Sequence, residues 1–333
     1  PGEITSHCRD TDHHGADTWL TSVVPIDAEN RLLKEKQMSR SLMLVISAVS
    51  ATLILVACQQ KVEQSPATAS ESQHKIGILL VNHGSRQKAW RDMLMDVEKA
   101  VDDRLLALPN VKAVRTAYNE YNEPSVAAQM KAFDDEGFDE VIVLPLFLTV
   151  GGHTNSDIPN LVGLKNEPKA LEALPKDGVP VYRPRARVTL LETIDSTEFL
   201  KANILRRTKA LLKDDDGSKY GVTLAAYGDD KFNQQWEALM SEIGKHLQEN
   251  VGIGAINYAW SGHLVNYSSD PTRKAVNQML AEKEKDIVIS VYVAYDKKFQ
   301  TEVIGGGIKQ SDRPQDVLYN EPEAILPDEN LNN

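Results

Sequence analysis

Three short stretches carry the residue types that bind metals and move protons. They are His83 in Val81-Asn82-His83-Gly84-Ser85-Arg86, Glu120 in Tyr118-Asn119-Glu120-Tyr121-Asn122-Glu123-Pro124-Ser125, and His153 in Gly151-Gly152-His153-Thr154-Asn155-Ser156-Asp157. Neutral imidazole binds divalent transition metals, and it titrates near neutrality, so one ring can serve as ligand or as acid/base group. A carboxylate beside it lowers the cost of holding a dication and can relay a proton. Each residue also has a plainer reading. A single histidine after a strand often only packs, and Glu123, near a helix start, suits the helix dipole without any site.

Whether the three residues meet depends on the elements that carry them. An apolar run over 76–81 closed by His83, Gly84 and Ser85 reads as a buried parallel strand that turns into a helix, with Gly84 in the turn, Ser85 as N-cap and the helix over 86–106. A strand over 111–118 and a helix over 125–136 follow, with Pro124 suited to that helix's first turn. Next come a strand over 140–148, the glycines before His153, a helix from about Ser156 introduced by Asp157-Ile158-Pro159, a strand over 179–187 and a helix over 191–213. This alternation predicts a parallel sheet covered on both faces, with both histidines at carboxyl ends of strands, where open α/β sheets place their ligands.

The pattern then repeats. Tyr220 to Asp229 mirrors Ile76 to Ser85, with Gly221 against Gly77 and Gly228 against Gly84; a helix over 231–247 and strands over 253–260 and 286–293 continue the correspondence. The expected fold is therefore α/β, a tandem repeat of two parallel four-stranded sheets flanked by helices, with a cleft between the halves. Tyr227 stands where His83 stands and Phe299 where His153 stands, so the second repeat keeps the frame without the imidazoles. Tyr227 is expected to pack between the repeats, and His263 to lie at the surface.

A strand ending in His-Gly-Ser-Arg, an aromatic-x-Glu-x-x-Glu-Pro-Ser segment, and Pro145-Leu-Phe-Leu-x-x-Gly-x-His153 followed by Asp157-Ile158-Pro159 resemble the class II tetrapyrrole chelatases. These are the sirohydrochlorin cobalt- and ferrochelatases of the CbiX and SirB type. The likeness runs from about Lys75 to the end of the second repeat, with the motifs in the first half. It implies insertion of a divalent metal, Co2+, Fe2+ or Ni2+, into sirohydrochlorin or a related tetrapyrrole. It also implies that His83 and His153 bind the metal and accept protons, with Glu120 as the carboxylate of the site. The metal ion is a substrate and no nucleotide is needed. Asn82 and Asn119 stand where such proteins commonly carry apolar residues or glycine.

Sirohydrochlorin is a polycarboxylate, so cationic groups are expected at the cleft mouth. Arg86 is the first choice, with Ser85 beside it, because a helix N-terminus already favours anions. Arg183, Arg185 and Arg187, placed toward the end of the fourth strand, come next, although an alternating exposed edge strand accounts for them equally well.

The chain has 333 residues, 41% apolar and 26% charged, with a net charge of −11, a balance that disfavours nucleic acid or an anionic membrane surface as main partner. Residues 1–37 lack periodicity and read as an upstream segment, with a natural start at Met38; His7, Cys8, His13 and His14 fall there and receive no role. Residues 38–57 have the charged and apolar regions of a secretory signal ending in Leu55-Val56-Ala57-Cys58, which resembles a bacterial lipobox. That implies acylation of Cys58, with Gln59 favouring anchorage to the outer membrane on its periplasmic face. Residues 58–74 then form a flexible tether, 75–215 the first repeat with the metal site, 216–320 the second with a degenerate site, and 321–333 a tail. Two other classes use the same residues: a periplasmic lipoprotein that binds metal or tetrapyrrole without catalysis, and a histidine phosphohydrolase. The latter wants an arginine directly before its histidine, where Asn82 stands.

Overall fold

The computed structural model describes residues 74–262, 268–294, 314–320, 324–326 and 328, all within one unit spanning Ser70–Asn333. Cys58, His263 and Phe299, and with them the signal and tether, lie outside the described residues. Among those that are described, no helix is long and apolar enough to cross a membrane.

Strand β1 (Ile76–Asn82) is flanked by β2 (Val111–Tyr118) and β3 (Glu140–Pro145), with β4 (Arg187–Leu190) outside β3, giving the parallel order β2-β1-β3-β4. The second sheet is β6-β5-β7-β8, built from β5 (Tyr220–Ala226), β6 (Ala255–Trp260), β7 (Lys285–Val291) and β8 (Val317–Tyr319), again all parallel. Near-continuous apolar runs form these strands because both faces are covered. On one face of the first sheet, Ile78 and Leu80 pack with Trp90, Leu94 and Val97 of α1 (Lys88–Leu106). On the other, Leu79, Val81, Val141 and Val143 meet Met130 and Phe133 of α2 (Val126–Asp135) and Ile158 and Leu161 of the short α3 (Ile158–Leu161). Helix α4 (Pro168–Lys176) adds Leu174 to that layer. Helix α5 (Glu198–Leu212), placed in the first repeat by sequence, packs against β7 and α6 (Asn233–Val251), and α6 and α7 (Asp270–Leu280) flank the second sheet.

The repeat extends to single hydrogen bonds. Asn119 N donates to Asn82 O at 2.8 Å and Glu120 N to His83 O at 2.9 Å; in the second half Ser261 N donates to Ala226 O at 2.8 Å and Gly262 N to Tyr227 O at 3.0 Å. Gly84 and Gly228 share positive φ, +86° and +71°. Gly262 thus occupies the place of Glu120.

Four details differ from the sequence reading. Helix α1 begins at Lys88 with Gln87 in the cap position, and Ser85 Oγ accepts from Gln87 N at 3.0 Å, so Ser85 closes the preceding turn rather than capping the helix. Pro124 lies outside the helix it was expected to open, since Ser125 is the N-cap of α2 and accepts from Ala128 N. The helical segment expected from about Ser156 starts earlier: Gly152 is already right-handed at −54°, and a π-turn (His153–Asp157) follows directly and leads into α3.

The fourth difference is the displaced fourth strand. Val179 and Val181 alternate and pack like a strand, but Pro180 and Pro184 remove donors, and the Arg185 and Ala186 amides donate to the Asp134 carboxylate at 2.7 and 2.9 Å. Pairing in β4 therefore starts only at Arg187, opposite Glu140. Arg187 bonds Glu140, Arg185 pairs with Asp134, and Arg183 donates to Lys165 O at 3.2 Å. Arg187 accordingly sits at the amino edge of the sheet, opposite the strand ends that carry the histidines, and the three arginines are engaged structurally.

Glu140, at the start of β3, and Asp286, near the start of β7, sit in opposite electrostatic settings. Thr189, Arg187 and His74 hydrogen-bond Glu140 and hold its carboxyl at about 2, whereas burial pushes Asp286 up to about 6 against a hydrogen bond from Thr223. An acid with a raised folded pKa stabilises the fold below its unfolded value, and that contribution is lost as pH rises through the folded pKa. The shift from 3.8 to about 6 is worth about 3 kcal/mol. Urea melts should show Asp286→Asn gaining on the wild type as pH rises from 4 to 7, with the two converging near pH 4. Parallel pH profiles would contradict this.

Candidate metal centre

His83 follows directly on β1, Glu120 lies two residues past β2, and His153 opens the π-turn after β3. The in-register ends of these strands, Asn82 opposite Tyr118 and Val81 opposite Pro145, bring the three together. Each offers one ligand atom, and these atoms lie within 4.8 Å of one another, the one such grouping of three among the described residues. The histidine rings meet edge to face with centroids 4.7 Å apart, and His153 Nδ1 is 3.9 Å from Glu120 Oε1. Tetrahedral bonds of about 2.1 Å put ligands about 3.4 Å apart, so closure on an ion asks for shifts of about 1 Å. Three protein ligands leave further positions open.

Phe147 forms the apolar wall, with its ring 6.3 Å from His83 and 6.1 Å from His153. All three site residues are half-buried. An open hollow of about 310 Å³ runs along Glu120, Tyr121 and Asn122, and another of about 820 Å³ lies along Ser156, Asp157 and Glu167.

The supporting residues were only partly visible in the sequence. Asp157 Oδ2 lies 2.7 Å from His153 Nδ1, one helical turn on, which places the Nδ1 proton on that side and leaves Nε2 as the lone pair for an ion. The i,i+4 spacing could have revealed this had the helix been started at His153. Asn119, whose side chain lies 3.1 Å from the same Nδ1, and Asn82, whose Oδ1 accepts from Gly84 N at 3.0 Å, are buried and hold the two histidine loops. Burial opposes charge on His153, but the Asp157 hydrogen bond and the charges of Glu120, Asp157 and Asp229 outweigh it and raise the imidazole above its ordinary pKa.

The second repeat reaches this loop: Trp236 Nε1 donates to Val150 O at 3.1 Å, and Asp229 lies beside Gly151. No local sequence signal links these distant residues. Tyr227 is half-buried and packs against Tyr292, ring centroids 4.1 Å apart, and Trp236 at 6.4 Å, and desolvation pushes its phenol well above its ordinary value.

Around the trio, Glu123 Oε2 accepts from Ser125 N at 2.6 Å, the helix-start role open to it from sequence. Ser85 is buried, its amide given to Asn122 Oδ1 at 2.8 Å and its carbonyl to Arg91, so it braces the turn instead of facing a ligand. Arg86 is exposed, with its guanidinium 5.3 Å from the Tyr121 ring centre.

A duplicated α/β frame with two imidazoles and a carboxylate on neighbouring strand ends defines a metal-site protein of chelatase architecture. Residues 77–211 match the CbiX family model. The sirohydrochlorin cobaltochelatase of Sulfolobus acidocaldarius is 32% identical over 129 residues, 37% of this chain and 98% of that protein. That of Methanopyrus kandleri is 32% identical over 92 residues, 28% of this chain and 62% of that protein. Among solved structures, SirB from Bacillus subtilis with Fe3+ aligns over 75% of this chain and 88% of its own, with 17% identity and a TM-score of 0.54, a likeness of fold. The chain belongs to the CbiX family of class II chelatases.

Proposed function

We propose that this protein inserts a divalent metal ion, Co2+ or Fe2+ and by the same ligand chemistry Ni2+, into sirohydrochlorin or a closely related tetrapyrrole without a nucleotide. The observation that carries the reading is the convergence of His83, Glu120 and His153 within 4.8 Å on a half-buried strand-end ledge. The relatives' cobaltochelatase names support cobalt, and SirB has been solved with cobalt and with Fe3+.

The reaction needs an ion that is held and then released, and acceptors for two pyrrole protons. Half-buried imidazoles bind such ions reversibly, and once vacated they are bases. Glu120 offsets the ion's charge, Asp157 keeps His153 oriented, and Arg86 meets a substrate carboxylate. Absorbance spectra of sirohydrochlorin mixed with the protein and Co2+, Fe2+ or Ni2+ in turn test this. At least one ion should be inserted well above the protein-free rate, and rates equal to the blank for all three would refute it.

The location follows from Leu55-Val56-Ala57-Cys58: the protein is a lipoprotein anchored through Cys58 at the periplasmic face of a bacterial membrane. Expressed from Met38 in cells fed labelled palmitate, it should enter the membrane fraction carrying label, and Cys58→Ala should carry none. An unlabelled soluble wild type would overturn this.

A further inference from the structure

The loop after β2 leaves ordinary backbone at Tyr121. Its φ is +63°, and across it Asn122 N donates to Glu120 O at 2.8 Å. An i→i+2 bond around a positive φ is the γ-turn form that is rare and strained, and a bulky side chain there is a true outlier, whereas glycine would take the position freely. The conformation persists because its neighbours over-determine it. Glu120 N is held by His83 O at 2.9 Å, and Asn122 Oδ1 accepts from Ser85 N at 2.8 Å. Strain maintained in this way collects where it serves a ligand.

What the strain produces is an aromatic ring aimed outward beside the metal trio. Tyr121 is 57% exposed, the most exposed of the large apolar side chains among the described residues, so the ring adds little to the core. Its centroid is 5.9 Å from that of His83, and the Arg86 guanidinium lies 5.3 Å from it. Guanidinium stacked on an aromatic face is held in place while its N–H fork stays available to a carboxylate.

We propose that Tyr121 and Arg86 form a two-part platform that sets the specificity of the site for a flat aromatic polyanion, the ring packing on the π-surface and the guanidinium pairing with a peripheral carboxylate. This rests on the reading of the substrate as a tetrapyrrole and adds the residues that select it. Stacking needs the ring and not the hydroxyl, because offset aromatic contact is made by the π-face. Bound this way, the macrocycle stands over His83, where a metal leaving the trio can enter it.

The test is a pair of titrations on the full chain, one with sirohydrochlorin followed by absorbance and one with Co2+ followed in the visible. Relative to Tyr121→Phe, Tyr121→Gly should weaken sirohydrochlorin binding about tenfold or more and leave Co2+ binding within about twofold. Its thermal midpoint should rise by about 2 °C or more as the strain is relieved. Tyr121→Phe keeps the ring and loses only the hydroxyl's hydrogen bond to Glu120, so it should bind sirohydrochlorin like the wild type. Arg86→Ala, outside the core, should weaken sirohydrochlorin several-fold without affecting Co2+. Unchanged sirohydrochlorin affinity in Tyr121→Gly and Arg86→Ala, with a wild type that binds, would overturn the platform alone. So would parallel losses of both ligands, which would mark collapse of the loop. A wild type that does not bind sirohydrochlorin would remove the functional reading together with this inference.

Discussion

His83→Ala and His153→Ala should each lower metal insertion by about 100-fold or more, the scale of a positioned acid/base group, because each removes a ligand and a proton acceptor at once. The two rings lie 4.7 Å apart, too close to act independently, so the double variant should be little worse than either single one. Glu120→Gln should impair turnover more than folding. Glu123→Gln should be mild, since Glu123 serves the start of α2. Tyr227→Phe is the internal control: Tyr227 holds the position of His83 in the second repeat but packs its ring against Tyr292 and Trp236, so turnover should barely change. Initial rates of insertion at saturating metal, with thermal melts to confirm folding, decide the series. Wild-type rates in both histidine variants would show that the site is placed wrongly.

Gly84→Ala should be as damaging by a different route. Gly84 has φ +86°, and a Cβ there would lie 2.0 Å from the Glu120 carbonyl oxygen, a backbone atom that cannot swing aside. The left-handed φ alone costs about 1–2 kcal/mol, and relieving the clash must push the Glu120 loop away from His83. Displacement by about 1 Å at a catalytic group is worth about 100-fold in rate. Gly137→Ala separates the two effects, because Gly137 has φ +72° with open space around its Cβ position. Both variants should lose comparable stability from φ, and only Gly84→Ala should lose activity. Full activity in a folded Gly84→Ala protein would mean that the loop contact does not position Glu120.

Much of the frame was legible because it is written in local signals. Apolar runs closed by glycine marked β1 and β5, and their matching turns exposed the duplication. The convergence of His83, Glu120 and His153 was legible for the same reason: three strand ends in one parallel sheet must share an edge. The fourth strand was misplaced because Val179 and Val181 do pack in the core, while the deciding partner of the backbone there, Asp134, comes from about fifty residues away. That error carried Arg183, Arg185 and Arg187 with it. Tyr121 gave no signal either, since nothing in its neighbourhood announces a positive φ that Asn122 and Ser85 enforce through tertiary contact. Asp229 and Trp236 reach the His153 loop from the other repeat, a relation only folding creates.

The central claim is that the ion held by His83, Glu120 and His153 is the ion delivered to the macrocycle. Protein loaded with one equivalent of Co2+, freed of excess metal and mixed rapidly with sirohydrochlorin, reports on this directly. The visible absorbance of protein-bound Co2+ should decay with the same time course as the metallated macrocycle appears, one equivalent for one, and a metal scavenger in solution should not slow it. Retention of Co2+ by the protein while the macrocycle stays metal-free, or insertion that the scavenger abolishes, would contradict the account.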